Sequence, residues 1–243
     1  METIHQNIET INQRISKACE KAGRSREEVK LLLATKTVSA ERIKLAMDAG
    51  CTLIAENKVQ ELKEKFDDLK EIPHTTHFIG NLQSNKVKEI IRYGVDCLES
   101  VDRMSLAEKL HKRLVFEGKT MEVLIQVNTS YEESKFGVRP ENAVELVRKV
   151  AQFETLKIKG LMTIGLFSAE DEKVRKCFQL LKSIHNQIVA ENIPNVEMKE
   201  LSMGMSGDLE IAIEEGATIV RVGTAIFGKR EFPDSYYWNE GKE

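Results

Sequence analysis

Lys36 closes the segment LLLATK, two residues past the apolar run Leu31 to Ala34. A lysine carried to the end of such a run is partly stripped of water, which lowers its pKa and frees the amine to attack an aldehyde. The plainer alternative is a solvated lysine capping a strand, since lysine is seldom buried. Far along the chain, Ser202 to Gly207 reads SMGMSG and leads into the helical run DLEIAIEEG. The N–H groups and hydroxyls of such a loop, Ser206 and Gly207 among them, can cradle a dianion at a helix start. RVGTAIFG offers a second such turn through Gly223 and Thr224. Singly, each is better read as an ordinary turn, because glycine and serine are the usual turn formers.

Arg221 ends the otherwise apolar IVR, where a guanidinium needs an acceptor or is costly. An acidic neighbour is the usual partner, and the ring nitrogen of a ligand the sharper one. His77 in THFIG, three residues after His74, invites a metal reading. No third ligand accompanies the pair, so a histidine held by hydrogen bonds in or beside the core is the better expectation. Met162, Met203 and Met205 suit packing, or the lining of a flat aromatic ligand. The charged run LKEKFDDLKE, residues 62–71, reads as a solvated helix face.

Short β-type runs that alternate with longer amphipathic stretches must carry these residues. The runs fall at Leu31–Ala34, Thr52–Ile54, Thr76–Ile79, Asp96–Leu98, Val123–Val127, Lys159–Met162, Lys199–Ser202 and Ile219–Val222. Helical stretches lie between them, with Gly50, Gly94 and Gly216 just past three of their ends. LLLA and VLIQV are apolar throughout, as expected of a parallel sheet covered on both faces. Eight such units predict a single (β/α)8 TIM-type barrel, with residues 1–22 as an extra N-terminal helix. A doubly wound open sheet is the alternative. In a barrel, function collects where strands end, and Lys36, Asn57, Asn81, Met162, SMGMSG and Arg221 to Thr224 all fall there. The two glycine turns follow strands seven and eight, where barrels often bind phosphate.

With 243 residues, 41% of them hydrophobic, four prolines and no linker-like tract, the chain reads as one domain over 1–243. Charged residues make up 31% but nearly cancel to a net −3, so no global field draws in nucleic acid or a membrane surface. Cysteines 19, 51, 97 and 177 show no CxxC pairing and are expected as reduced, mostly buried thiols. The polar amino terminus has no apolar core of a signal peptide, and no stretch approaches the ~20 apolar residues of a membrane span. A soluble cytoplasmic protein is expected.

The segments LLLATK, AENKVQE, HFIGNLQSNK, IQVNTSYEESKFGV, KGLMTI, LSMGMSGDLEIAI and VRVGTAIFG occur in order across residues 29–228. Together they resemble the successive motifs of the YggS/PROSC family of pyridoxal phosphate homeostasis proteins. That resemblance implies a fold similar to the amino-terminal barrel of alanine racemase, with pyridoxal 5′-phosphate held as a Schiff base on Lys36. It implies that Asn57, His77, Asn81 and Met162 line the cofactor pocket. Ser206, Gly223 and Thr224 would hold the 5′-phosphate, with Ser202 and the backbone from Met203 to Gly207 nearby, and Arg221 would face the pyridine nitrogen. Ala55 and Val38 depart from the commoner glycine and proline of the family, which touches only loop geometry. A guanidinium can donate but not accept, so the ring nitrogen opposite it stays unprotonated and the ring is a weak electron sink.

Racemases that share this barrel use a further domain and a tyrosine base, whereas only about twenty residues follow strand eight here. The resemblance therefore implies a binding protein with little or no catalysis, acting in vitamin B6 homeostasis and amino-acid and keto-acid balance. It would be a monomer, in transient contact with apo-enzymes that need the cofactor. A pyridoxal phosphate-dependent amino-acid racemase is the alternative, and a barrel for another phosphorylated small molecule a third. The cluster Tyr236, Tyr237 and Trp238 is a candidate contact surface.

Overall fold

Thr3 caps the first helix, α1 (Ile4–Lys21): its hydroxyl accepts from the Gln6 amide and the Gln6 side chain accepts from the Thr3 N–H. Ile8, Ile11, Ile15, Ala18 and Cys19 recur at helical spacing and bury one face of α1. That face lies against the helices that flank the last strand. The structure, a computed structural model, describes residues 3–166, 168 and 170–228.

Eight strands follow: β1 (Lys30–Ala34), β2 (Leu53–Glu56), β3 (Thr75–Phe78), β4 (Cys97–Val101), β5 (Met121–Gln126), β6 (Leu156–Met162), β7 (Val196–Ser202) and β8 (Ile219–Val222). Each pairs in parallel with the next, and β1 pairs with β8 from Lys30↔Ile219 to Leu33↔Val222, closing the barrel. The helices α2 (Ala40–Asp48), α3 (Val59–Leu69), α4 (Val87–Arg92), α5 (Met104–Glu117), α6 (Ala143–Val150), α7 (Asp171–Glu191) and α8 (Leu209–Glu214) connect successive strands. The expected (β/α)8 barrel with a leading helix is the observed fold.

Side chains alternate between the two faces of each strand. Leu33, Ile54, Phe78, Leu98 and Val123 point outward into the large apolar layer shared with the helices. Leu32, Ala55 and Ile219 form a small cluster on the inner row, as do Cys97, Leu124 and Met162. Lys36 lies four residues beyond Leu32, in phase with the inner row.

Three departures from the sequence reading bear on function. β4 continues through Glu99 and Ser100 rather than stopping at Leu98, and both residues are buried. A carboxylate inside an apolar run reads as a strand end, but this one is fully partnered in the barrel. A short helix, α9 (Thr224–Phe227), begins at Gly223 within the second glycine turn. The charged run 62–71 is not wholly a solvated face, because the Lys65 side chain is only 11% exposed and turns inward.

Candidate functional site

At the strand ends, Lys36 is half-buried and separated from β1 only by the buried Thr35. Asn57 follows β2 directly, and its Oδ1 is buried with no hydrogen-bond partner among the described residues. A buried amide oxygen left unpaired costs about 1–3 kcal/mol, so a site with a missing donor is the natural reading. Gly80, in the loop after β3, lies so close that an added Cβ would stand 1.9 Å from the Asn57 carbonyl oxygen. That contact pins the Asn57 backbone against the neighbouring loop.

A chain of buried polar groups crosses the barrel interior beneath these residues. His77 Nδ1 on β3 lies 2.6 Å from Glu99 Oε1 on β4. Ser202 Oγ, at the end of β7, donates to Glu99 Oε2 at 2.5 Å and accepts from Arg221 Nη1 at 2.8 Å. Arg221 Nη2 donates to the Thr163 carbonyl at 2.7 Å. Burial alone would push the Glu99 carboxyl up. The His77 and Ser202 hydrogen bonds and the His77 and Arg221 charges outweigh it and hold the carboxyl below its ordinary range. Burial depresses Arg221, against the pull of Glu99 and Asp208. These bonds use two of the five guanidinium N–H donors, leaving capacity for a further acceptor.

The two glycine turns are built differently. In SMGMSG, Asp208 accepts from the Met205 amide, and Arg14 of α1 donates to the Ser206 carbonyl at 3.0 Å while pairing with both Glu210 oxygens. Asn7, two turns earlier on the same face of α1, donates to the Ile226 carbonyl of α9. The leading helix thus ties down both turns. Gly207 has open space where a Cβ would go and no left-handed φ, so neither packing nor conformation requires glycine there. Room for a ligand is a reason that remains. At Gly223 an added Cβ would come within 2.9 Å of the Ala34 carbonyl, which brings the start of α9 against the end of β1. The first-turn amides of a helix have no acceptors within it and suit an anion.

The structure therefore gathers Lys36, Asn57, Ser202, Ser206, Gly207, Arg221, Gly223 and Thr224 at the carboxyl ends of β1, β2, β7 and β8. Met162, 1% exposed and register-paired with Ser202, packs with Cys97 and Leu124 below them. His77 is held in the barrel by Glu99, the hydrogen-bonded arrangement expected over a metal. Among the described residues no group of three His, Cys, Asp or Glu is placed to hold a metal. Asn81 does not join the buried set: it is exposed, with a long 3.5 Å contact from Arg103. Cys19, Cys97 and Cys177 are buried free thiols and Cys51 is half-buried. No described helix is long and apolar enough to cross a membrane. Tyr236, Tyr237 and Trp238 lie outside the described residues.

Fold and site define a parallel barrel of the alanine racemase type, and the family model for the alanine racemase N-terminal domain matches residues 2–231. A pyridoxal phosphate homeostasis protein of Aquifex aeolicus is 43% identical over 227 residues, covering 93% of this chain and 98% of that one. The chain belongs to the pyridoxal phosphate homeostasis protein family. A protein of Bifidobacterium adolescentis, described as unknown, superimposes with a TM-score of 0.87 at 40% identity, covering 92% of this chain and 94% of that one. PipY of Synechococcus elongatus with PLP bound superimposes with a TM-score of 0.77 at 29% identity, covering 88% of this chain and all of that one.

Sequence reasoning missed Glu99, the acceptor at the centre of the buried chain. The signal was present: Arg221 demanded an acidic partner, and CLESV carries a carboxylate in an otherwise uncharged strand. It also missed Glu61 and Lys65, hidden within a helix rich in charge.

Proposed function

We propose that this chain holds pyridoxal 5′-phosphate covalently, as a Schiff base on Lys36, and acts in pyridoxal phosphate homeostasis as a carrier or buffer with little or no catalysis. The observation that carries this reading is a half-buried lysine just past β1, in phase with the inner row and set among an orphaned Asn57 oxygen, two glycine turns and the Arg221 guanidinium. PLP in the related PipY structure supports it. The cofactor, when bound, supplies an aldehyde. Lys36 would present its amine to that aldehyde and so hold the cofactor as a Schiff base. Asn57 and Met162 line the ring site, and His77 holds Glu99 in place from below. Ser206, Gly207, Gly223 and Thr224 take the phosphate, with Ser202 near. Arg221 would offer N–H donors to the ring nitrogen and is too weak an acid to transfer one of its protons, which would leave the ring a poor electron sink.

Little or no catalysis is part of this proposal, and the placement of the two described tyrosines supports it. Tyr93 packs edge-on against Phe66 at 5.4 Å, and Tyr131 is 56% exposed on the loop after β5. Neither belongs to the buried polar chain, and a general base must lie within hydrogen-bond reach of its proton. A role in amino-acid and keto-acid balance, as a monomer in contact with apo-enzymes, accords with such a carrier.

The test is borohydride reduction of cofactor-loaded protein followed by peptide mapping. The adduct is expected on the peptide containing Lys36 and absent in Lys36→Ala; an adduct elsewhere, or none, overturns the reading. Incubation with L- and D-amino acids separates carrier from racemase, since turnover that survives repurification and vanishes in Lys36→Ala would establish an enzyme.

A further inference from the structure

The residue that would bear the cofactor is bounded by two peptide groups. One contains the Thr35 carbonyl and the Lys36 N–H, the other the Lys36 carbonyl and the Thr37 N–H. Lys65 Nζ, on α3, donates to the Thr35 carbonyl at 2.9 Å, and Glu61 Oε2, one turn earlier, accepts from the Thr37 N–H at 2.6 Å. Lys65 also donates to Glu61 Oε2 and to Glu56 Oε1, each at 2.8 Å. Its three donors thus meet three acceptors. Thr35 Oγ1 donates to the same Glu56 oxygen at 2.5 Å, tying the end of β1 to the end of β2.

An ion pair therefore bridges both peptide planes that set the φ and ψ of Lys36. The backbone it restrains is not relaxed. Thr37 has φ +64°, a left-handed conformation that a β-branched residue avoids at a cost of order 1–3 kcal/mol. Such a conformation persists only where its surroundings over-determine it, and Glu61 supplies the bond that does so. A lysine on a free strand end would also swing its whole side chain with the backbone; one held at both flanking peptides starts that side chain from a fixed Cα–Cβ direction.

We infer that Glu61 and Lys65 are positioning residues for Lys36: together, anchored by Glu56, they hold the two peptide groups around it and aim its amine along the inner row. This rests on the reading of Lys36 as the point of cofactor attachment.

The test compares Glu61→Ala, which removes the acceptor of the Thr37 N–H, with Glu61→Gln, whose amide oxygen restores it. Amide hydrogen exchange over residues 35–38 is measured on protein without cofactor. The rate of pyridoxal phosphate addition and the position of the visible band are measured on loading. In Glu61→Ala, exchange at Thr37 is expected to rise and addition to slow roughly tenfold, with a shifted band and little change in melting temperature. Glu61→Gln is expected to restore all three. A paired variant, Glu56→Gln with Lys65→Met, removes the donor to the Thr35 carbonyl together with the acid Lys65 pairs with, and is expected to slow addition and shift the band as Glu61→Ala does. Wild-type exchange, rates and band in Glu61→Ala and in the pair overturn the inference. If wild-type protein instead gives no adduct on Lys36, the attachment reading fails, and Thr37 exchange still reports whether the clamp exists.

Discussion

Glu99 and Ser202 meet across the barrel, from β4 to β7, through a 2.5 Å hydrogen bond in which the serine donates. The two strands are not neighbours in the sheet, so this bond spans the interior rather than the wall. It lets the serine relay the carboxylate to Arg221, whose guanidinium would otherwise be buried without an anion in its hydrogen-bonded chain.

Breaking that relay strands a buried charge. Glu99→Ala is expected to destabilise the fold by about 3–5 kcal/mol, read as a lowered urea midpoint. Glu99→Leu combined with Arg221→Met should cost less than the two single changes summed, because removing both charges leaves neither unpaired. Additive losses in that cycle would mean the two residues are not coupled.

The two buried acids, Glu56 and Glu99, give opposite pH dependence. Burial pushes the Glu56 carboxyl up to about 7, against the pull of Lys65 and with the push of Glu61. The folded chain then binds this proton over a window where the unfolded chain, near the ordinary value of 4.5, has released it. Its contribution to stability is present below that ordinary value and is lost as the pH rises toward 7. Urea midpoints of wild type relative to Glu56→Gln are expected to fall from pH 5 to 7. Glu99, held low, contributes stability above its unfolded pKa that is lost on acidification through its folded one. A flat difference between wild type and Glu56→Gln across that range would contradict the assignment of Glu56.

Two glycines separate binding from packing. Gly207→Ala meets open space and is expected to change stability by less than about 0.5 kcal/mol, yet to weaken cofactor binding roughly tenfold, as about 1.4 kcal/mol would. Gly80→Ala drives a Cβ against the Asn57 carbonyl and is expected to cost about 1–3 kcal/mol in thermal or urea unfolding. Equilibrium titration of both variants, beside their melting curves, distinguishes the two roles.

Removing Arg14 should loosen the SMGMSG turn from behind. Arg14→Ala deletes the bond to the Ser206 carbonyl and the pair with Glu210, which is about one-third exposed on the arginine side, so the stability loss is expected to be about 1 kcal/mol or less. Release of bound cofactor, followed by capture with a carbonyl scavenger, is expected to quicken several-fold. Unchanged release would mean that α1 braces the fold without bearing on the site.

The barrel was legible because its cause is local and repeated. Apolar runs such as LLLA and VLIQV need cover on both faces, and eight of them alternating with amphipathic helices have few ways to close. Lys36, the glycine turns and Arg221 were legible for a related reason, since strand ends fall at one face of a parallel barrel whatever the details of packing. The sequence by itself thus determined which residues arrive at the mouth. What it did not determine is which charges face one another across the interior. Glu99 sits 103 residues before Ser202, and Lys65 shares its helix with solvated charges of both signs. Charge pairing over such separations depends on the phase of each strand and helix about the barrel axis. Closure of the sheet sets that phase, and it turned one glutamate inward to Arg221 and one lysine inward to the backbone of Lys36.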